Sequence, residues 1–414
     1  MRAVLQGVPS LAHACRVTDA ASLTRRRSIP AAGVLGGGSF LLIGWVALLV
    51  PTLIRSVESS FAQTDAGMGI YYLAFGLAYA AGSLIGGLAT ERLGRRLVLS
   101  CCTGLMAAGL IMLGVAPSWN LFVLASLPTG LGIGGLDGGI NGLFLDLFHA
   151  DRGRALNLLH LGFSVGALSA PLVIGRLIDA EVGWQGIVVV TAAVAALVAI
   201  AFATVAMPSG RHVRVAGEGA GGARRPAGAV RMSGVLPLLA LAIACGVALE
   251  SGVANWLVRF LDPAPLSVAT TGLTLFLVGL ALGRLFSARF ADRFDHRRFA
   301  IVAATGSAVA LTLAVLAPWQ SVSIALFAAT GFGIGPVYPM IMVVAGERYP
   351  GRSAAISGTL SSAALAGTIV YPPVMGLLSV TVGLAIAMVG NAVLGLASAG
   401  ALLLVGRRPA VVPE

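Results

Sequence analysis

Two carboxylates interrupt long apolar stretches of this sequence, and they are its clearest candidates for chemistry. Asp137 lies within residues 120–147 and Glu250 within residues 234–260. A charge in such a segment is costly unless it is paired or hydrated, so each acid is expected to be functional. An apolar cavity also favours the neutral form of a carboxyl group, which lets it load and release a proton near neutral pH. The sequence therefore predicts proton coupling at Asp137 and Glu250.

Polar and aromatic side chains in the same kind of stretch are candidates to bind a solute. Asn141 follows Asp137 by one helical turn, so both lie on one face of a helix. Sites for sugars usually combine polar groups that match hydroxyls with flat aromatic surfaces. The predicted solute-binding residues are Trp45, Asn141, His160, Asn255, Trp256 and Tyr338.

Some of these residues also have a purely structural interpretation. A lone histidine near a helix end, such as His160, is often a satisfied structural group, and tryptophans near span ends often anchor in the membrane interface. Trp45 lies in the middle of its stretch, which favours a cavity, whereas Trp256 fits both interpretations. Arg284 is expected to reach the interface or a local partner. If it paired with one of the two acids, that acid would stay ionised and the other would be the better proton carrier.

These residues must be positioned by membrane-spanning helices. Of 414 residues, 57% are hydrophobic and 10% are charged, against about 25% charged in soluble domains. A water-facing surface could not be covered with so few charges. Twelve stretches are long and apolar enough to cross the hydrocarbon core as helices. They lie near residues 33–54, 67–90, 97–116, 120–147, 155–178, 184–206, 234–260, 267–290, 299–317, 320–346, 352–378 and 381–406.

The stretches form two groups of six, separated by a segment rich in Gly, Pro and Arg. This pattern predicts an all-α membrane protein with six-helix bundles at residues 33–206 and 234–406 and a flexible linker at 207–233. A C-terminal tail follows at 407–414. Residues 1–32 are expected to be a disordered tail, uncleaved because no small-residue cleavage site follows at signal-peptide distance.

The basic residues set the orientation. All 27 are arginine, and with the amino terminus inside, the tails and even-numbered loops hold 23 of them. The opposite loops hold Arg55, Arg176 and Arg259, and Arg284 lies within a span. Basic loops are retained in the cytoplasm, so we expect a multi-pass protein of the cell membrane with both termini cytoplasmic.

Other classes of protein do not fit these features. Nucleic-acid-binding proteins gather basic residues on one polar face, whereas these arginines punctuate apolar stretches, so no nucleic acid is expected. The four cysteines show no metal-ligand spacing, so neither a metal nor another cofactor is expected. No stretch has the character of a soluble enzyme.

An internal duplication relates the two groups of stretches. A shift of 201 residues places TGLGIGG at 129–135 on TGFGIGP at 330–336, with five of seven positions identical. The same shift pairs Gly82 with Gly283 and Pro171 with Pro372. Because six spans are an even number, both copies enter the membrane in the same orientation and are related by an axis along its normal. Two such bundles are expected to leave a cavity between them.

The loop after the second span reads GLATERLGRR, from Gly87 to Arg96. It resembles a motif of the major facilitator superfamily, with Glu91 in place of the usual aspartate. The resemblance implies the major facilitator fold and a cytoplasmic latch that holds the halves together in the outward-open state. The second copy retains Asp292 and Arg293 but lacks both glycines. The implied latch residues are Gly87, Glu91, Arg92, Gly94, Arg95, Arg96, Asp292 and Arg293.

Three further segments, at residues 156–171, 246–256 and 331–339, resemble the fucose/glucose/galactose proton symporter branch of that superfamily. The resemblance implies that spans 1, 4, 7 and 10 line a central cavity, with Asp137 and Glu250 facing it from opposite halves. Symporters of this type also use an acid in the first span. The stretch predicted here for that span contains none.

Three functions are compatible with these features. The leading prediction is a secondary transporter working by alternating access, which moves a sugar or similar small polar solute with protons, in the direction of import. A cavity poor in charge would also suit proton-driven export of drugs or amphipathic metabolites. A transporter-like receptor without transport would need neither a proton site nor a moving latch, and the two buried acids argue against it.

Overall fold

A computed structural model of the chain describes residues 11–148, 152–207, 234–262, 264–290, 293–349 and 353–406. Within these residues the chain forms thirteen α-helices and no strand. They are α1 Leu11–Phe61, α2 Asp65–Leu93, α3 Arg95–Gly114, α4 Trp119–Leu147, α5 Arg152–Asp179, α6 Trp184–Thr204, α7 Leu236–Phe260, α8 Leu266–Phe290, α9 His296–Leu316, α10 Gln320–Ile334, α11 Val337–Arg348, α12 Ser353–Val382 and α13 Leu384–Leu404.

Twelve segments of these helices are long and apolar enough to span a membrane, because α10 and α11 together make one span, Gln320–Arg348. Their number and order agree with the sequence prediction. The chain is therefore an all-α, multi-pass membrane protein. Of the predicted linker at 207–233, residues 208–233 lie outside the described residues, as does the tail at 407–414.

The first span differs from the prediction at both ends. Its apolar segment is Ala31–Phe61, so it continues well past residue 54, where the prediction ended it. Glu58 therefore belongs to the first span, which was expected to contain no acid, and Asp65 begins the second span. On the other side, α1 is helical from Leu11 onward, so the expectation of disorder does not hold for residues 11–30.

The two halves are separate bundles that repeat the same packing. In the first half α2 and α3 pack on α4, and in the second half α8 and α9 pack on α10. A Cβ at Gly82 would collide with the carbonyl oxygen of Leu131, and one at Gly283 would collide with that of Phe332. Both members of the second pair lie 201 positions after those of the first. Small residues let helices approach closely, so the duplication is present in the packing itself.

The interface between the halves follows the same symmetry. It is formed mainly by α2 against α12, by α5 against α8 and by α1 against α7. Gly175 of α5 lies against Thr270 of α8, and its repeat partner Gly376 of α12 lies against Asp65 of α2. The fifth span of each half thus packs against the second span of the other half. This exchange is the arrangement expected for parallel repeats related by an axis along the membrane normal.

Candidate functional site

A cavity of about 780 Å³ lies between the two halves. Its wall comes from α1, α2, α4 and α5 of the first half and from α7, α8 and α12 of the second. Among the described residues, α10 and α11 contribute nothing to this lining, although the tenth span was expected there. The lining is mostly aliphatic and aromatic. Its polar members are Tyr72, Tyr79, His160, Ser164, Glu250, Ser251, Asn255, Arg284 and Thr368.

Glu250 and Arg284 form an ion pair in this wall. Nη2 of Arg284 lies 3.1 Å from Oε1 and 3.2 Å from Oε2 of Glu250, joining α7 to α8 within the second half. The Arg284 side chain is 44% exposed and that of Glu250 is 26% exposed. The arginine therefore reaches one of the two buried acids, the alternative that the sequence analysis had not favoured. Each member of the pair thereby has a counter-charge in the cavity wall.

Asp137 has a different environment, because its partners are neutral. The hydroxyl of Tyr79 donates to Oδ2 of Asp137 at 2.7 Å, and Nδ2 of Asn141 donates to Oδ1 at 2.9 Å. The Asn141 contact is the one that the helical spacing predicts. Among the described residues no arginine forms an ion pair with Asp137. Asp137 is not itself a lining residue, and Tyr79 stands between it and the cavity.

The glycines of α4 explain how Tyr79 comes so close to Asp137. A Cβ at Gly134 would fall on the backbone carbonyl of Tyr79, and one at Gly138 would meet the backbone of Ser83. α2 and α4 can therefore approach one another at nearly backbone contact. The sequence analysis did not identify Tyr79. Its signal was a lone tyrosine in a stretch of small residues facing the glycine-rich fourth span.

Two of the predicted solute-binding residues, His160 and Asn255, do line the cavity. His160 also makes an edge-to-face contact with Phe40, at 5.4 Å between ring centroids. Asn255 sits where the second span crosses the seventh, because the hydroxyl of Tyr72 donates to its backbone carbonyl at 3.3 Å. The side-chain amide of Asn255 donates to the carbonyl of Ser251 at 2.7 Å, one turn earlier in α7.

The other four predicted binding residues do not line this cavity. Nε1 of Trp45 donates to Thr191 of α6 at 3.2 Å, on the side of α1 that faces its own bundle. Trp256 is fully buried, and its Nε1 donates to the carbonyl of Pro372 at 3.2 Å. The hydroxyl of Tyr338 pairs with Ser361 at 3.2 Å, and the amide of Asn141 is held by Asp137. The predicted aromatic platform of two tryptophans and a tyrosine is therefore not formed in this cavity.

A cluster of ion pairs joins the halves at the end of the molecule away from the termini. It is called the distal cluster here and consists of Arg55, Glu58, Asp65, Arg259, Asp262 and Ser379. Nε of Arg259 lies 2.8 Å from Oε2 of Glu58 and 3.0 Å from Oδ1 of Asp65. Its Nη1 lies 3.1 Å from Oδ2 of Asp262. Ser379 donates to the other oxygen of Asp65.

Arg55 reinforces the distal cluster in the opposite direction, from the first half to the second. It donates to the carbonyl of Val258 at 2.8 Å and to that of Ala264 at 2.6 Å. Nη1 of Arg55 also lies 3.5 Å from Asp262. Sequence reasoning treated Arg55 and Arg259 only as loop arginines and overlooked Glu58, because the first span was ended too early. The cluster therefore joins the two halves from both sides at this end of the molecule.

The latch segment is described only in part. Gly94 has φ +89°, a backbone conformation that favours glycine, at the break between α2 and α3. Arg95 is buried, whereas Arg92 and Arg96 are exposed, and the Arg293 guanidinium lies 5.3 Å from the ring centroid of Phe290. The side chain of Glu91 and the whole of Asp292 lie outside the described part of the chain. The pairing of the latch acids therefore stays a prediction.

Comparison with known proteins agrees with this architecture. The sequence profile described as Major Facilitator Superfamily matches residues 34–272 and 261–414. The sodium-dependent glucose transporter 1 of Xenopus laevis is 29% identical over 131 residues, which are 31% of this chain and 26% of that protein. This chain thus aligns with only about a quarter of that relative's length.

A longer alignment exists with the gentisate transporter of Corynebacterium glutamicum. It is 24% identical over 362 residues, covering 84% of this chain and 81% of the relative. Among solved structures, a bacterial homolog of the human lysosomal transporter Spinster, in an inward-facing and unoccupied conformation, superposes with a TM-score of 0.75. That superposition covers 92% of this chain and 97% of the other at 18% identity, so it demonstrates the fold alone.

Proposed function

This chain belongs to the major facilitator superfamily, and on that premise we propose that it is a proton-coupled secondary transporter that carries an amphipathic small molecule by alternating access. The family makes it a transporter and not an enzyme. Its solute, its coupling ion and the role of each residue are parts of the proposal.

The observation that carries the proposal is the composition of the central cavity. About 780 Å³ of space is enclosed mainly by aliphatic and aromatic side chains, with polar groups at isolated points. Such a wall offers an apolar solute body a favourable transfer from water and a polar group a few fixed partners. The tryptophans that would have favoured a sugar lie elsewhere. This supports the amphipathic solute over the sugar.

Asp137 is the proposed proton carrier. Its hydrogen-bond partners are neutral, so its charge is not fixed by an arginine, and both protonation states retain a partner in Tyr79 or Asn141. Tyr79 lines the cavity and its hydroxyl contacts Asp137, which would provide a short route for a proton between cavity and acid. Glu250 serves as the counter-charge of Arg284 in the empty protein.

The distal cluster is proposed to be one of two alternating closures. It joins the halves across Arg259, Glu58 and Asp65, while the lining of the cavity extends toward the side of the termini as far as His160 and Leu285. With both termini cytoplasmic, as the arginine distribution predicts, this arrangement is an inward-facing state. The outward-facing state would require the cluster to separate and the latch residues to pair.

Sugar–proton symport is the second candidate. Hydroxyl and amide groups of Tyr72, Ser251 and Asn255 lie in the wall and could bind a polyol. A relative named as a sodium-dependent glucose transporter, matched over part of its length, also favours this candidate.

A transport assay would separate these functions. Purified protein reconstituted in proteoliposomes is given an imposed pH gradient and a panel of radiolabelled sugars, aromatic acids and lipophilic cations. The proposal predicts gradient-dependent accumulation of an amphipathic compound that an uncoupler abolishes. Accumulation of sugars alone would favour the second candidate, and accumulation that ignores the pH gradient for every compound would refute proton coupling.

A further inference from the structure

Arg284 has N–H donors that no acceptor among the described residues uses, and its side chain lines the central cavity. We propose that the solute carries a carboxylate and that Arg284 binds it in the central cavity. This inference rests on the proposed function, because it assigns the chemistry of the solute to the same cavity.

The geometry of the existing ion pair leaves most of the guanidinium free. A guanidinium carries five N–H donors on three nitrogens in a planar fork. Nη2 alone contacts both oxygens of Glu250. Among the described residues nothing accepts from Nε or Nη1 of Arg284, and its side chain is 44% exposed at the cavity wall. An acceptor group that enters the cavity could therefore bind to the N–H groups of Nε and Nη1 of Arg284.

A carboxylate is the acceptor that fits this edge best. Arginine and carboxylate groups match in plane and spacing, so two parallel N–H···O bonds can form. Both bonds are charge-assisted, and the apolar wall around them excludes water that would weaken them. The aliphatic lining, including Leu277, Leu280 and Leu285, would then contact the hydrocarbon part of the solute.

The opposite charge is disfavoured by the same geometry. A cationic solute would need Glu250, but both oxygens of that side chain already accept from Arg284, and its exposed fraction is the smaller of the two at 26%. An uncharged acceptor on the solute would gain less from the positive guanidinium than a carboxylate would, because it carries no opposite charge. Of the two members of the pair, the arginine is therefore the one presented to a ligand.

Glu250 then acts as an internal competitor for the same guanidinium. It holds part of the positive charge of Arg284 in the empty protein, and a solute carboxylate must share that charge with it. Removal of the Glu250 carboxylate should strengthen carboxylate binding, whereas removal of Arg284 should weaken it. This pair of opposite effects is specific to an anionic ligand. A cationic ligand would bind more weakly without Glu250 and more tightly without Arg284, and the affinity of a neutral ligand would change little in either case.

The test measures equilibrium binding to the full-length protein in detergent by calorimetry, without any ion gradient. The probes are cinnamate and its uncharged analogue cinnamamide. Cinnamate is expected to bind the wild type at least tenfold more tightly than cinnamamide. Its affinity should rise at least threefold in Glu250→Gln and fall at least tenfold in Arg284→Gln. Arg289→Gln, which changes an exposed arginine of the same helix, should match the wild type.

Each other result would overturn the proposal. The proposal is contradicted if the two probes bind equally well. It is also contradicted if cinnamate binds neither the wild type nor Glu250→Gln, or if cinnamate binds Glu250→Gln more weakly than it binds the wild type. If Arg284→Gln does not fold, the double variant Glu250→Gln/Arg284→Gln replaces it, because it leaves no unpaired charge; retained preference for cinnamate in that variant contradicts the proposal. Failure of proton coupling would leave these affinities unchanged, so the two proposals fail separately.

Discussion

The hydroxyl of Tyr79 donates a hydrogen bond of 2.7 Å to Oδ2 of Asp137, and Tyr79 lines the cavity whereas Asp137 does not. The contact joins the second span to the fourth inside the first half. It places the candidate proton carrier one side chain away from a residue that lines the cavity. Tyr79 is therefore a positioning residue in the proposed coupling mechanism.

Replacement of Tyr79 by phenylalanine should impair coupling without unfolding the protein. The Tyr79→Phe change deletes one charge-assisted hydrogen bond to Asp137 while it keeps the ring in the cavity wall. We expect a roughly tenfold lower rate of proton-driven uptake, measured in proteoliposomes, with solute affinity within about threefold of the wild type; tenfold corresponds to about 1.4 kcal/mol.

Tyr371→Phe is the matched control for that experiment. The Tyr371 hydroxyl is buried and has no hydrogen-bond partner among the described residues. Its removal should leave uptake unchanged, because no contact is lost. Equal effects of the two substitutions would show that the Tyr79 contact has no role in coupling.

Disruption of the distal cluster should open the end of the cavity away from the termini. Arg259→Gln removes the cation shared by Glu58 and Asp65 and leaves two buried carboxylates facing each other, which is strongly destabilising to the closed arrangement. In a cysteine-free background, a Ser251→Cys probe in the cavity wall should react at least tenfold faster with an impermeant maleimide added from that side.

Arg176→Gln, an exposed arginine near the same end of α5, provides the comparison for the distal cluster. It should leave the labelling rate of Ser251→Cys within about twofold of the parent. If Arg259→Gln labels no faster than Arg176→Gln, the cluster does not hold the halves together.

The two glycines of the latch motif should respond differently to alanine. Gly94 has φ +89°, which an L-residue adopts only with strain, so Gly94→Ala should lower the free energy of unfolding by about 1–3 kcal/mol. Gly87 lies inside α2 with open space around its Cα, and alanine is favoured there by up to about 1 kcal/mol. Thermal unfolding in detergent would show a lower Tm for Gly94→Ala alone. A similar Tm for both variants would mean that the backbone at Gly94 tolerates other residues.

The fold was largely predictable because backbone hydrogen bonding in lipid permits so few structures. Twelve apolar stretches and one repeat register were sufficient to predict two six-helix bundles. Gly82 and Gly283, which are 201 positions apart, make equivalent helix–helix contacts in the two bundles, so the repeat seen in the sequence is also seen in the packing. Hydropathy placed the end of the first span too early, because Arg55 and Glu58 are charged like loop residues. In the structure both lie in the helix and contact residues of the other half.

The lining of the cavity was less predictable, because hydropathy does not determine the rotation of a membrane helix about its axis. In a soluble helix the polar face points to water, but here lipid-facing positions such as Leu84 and core positions such as Leu49 are equally apolar. Trp45 and Trp256 were therefore expected to face the cavity, and each instead forms a hydrogen bond within its own bundle. Of the two acids expected to face the cavity, Glu250 lines it and Asp137 does not.

Proton coupling through Asp137 is the central claim, and Asp137→Asn in proteoliposomes tests it most directly. Asparagine keeps the size of the side chain and can still bond to Tyr79 and Asn141, but it cannot take up a proton. With a compound that the wild type accumulates, the variant should exchange solute across the membrane at a rate within about threefold of the wild type and show no accumulation under an imposed pH gradient. Accumulation equal to that of the wild type would contradict the account.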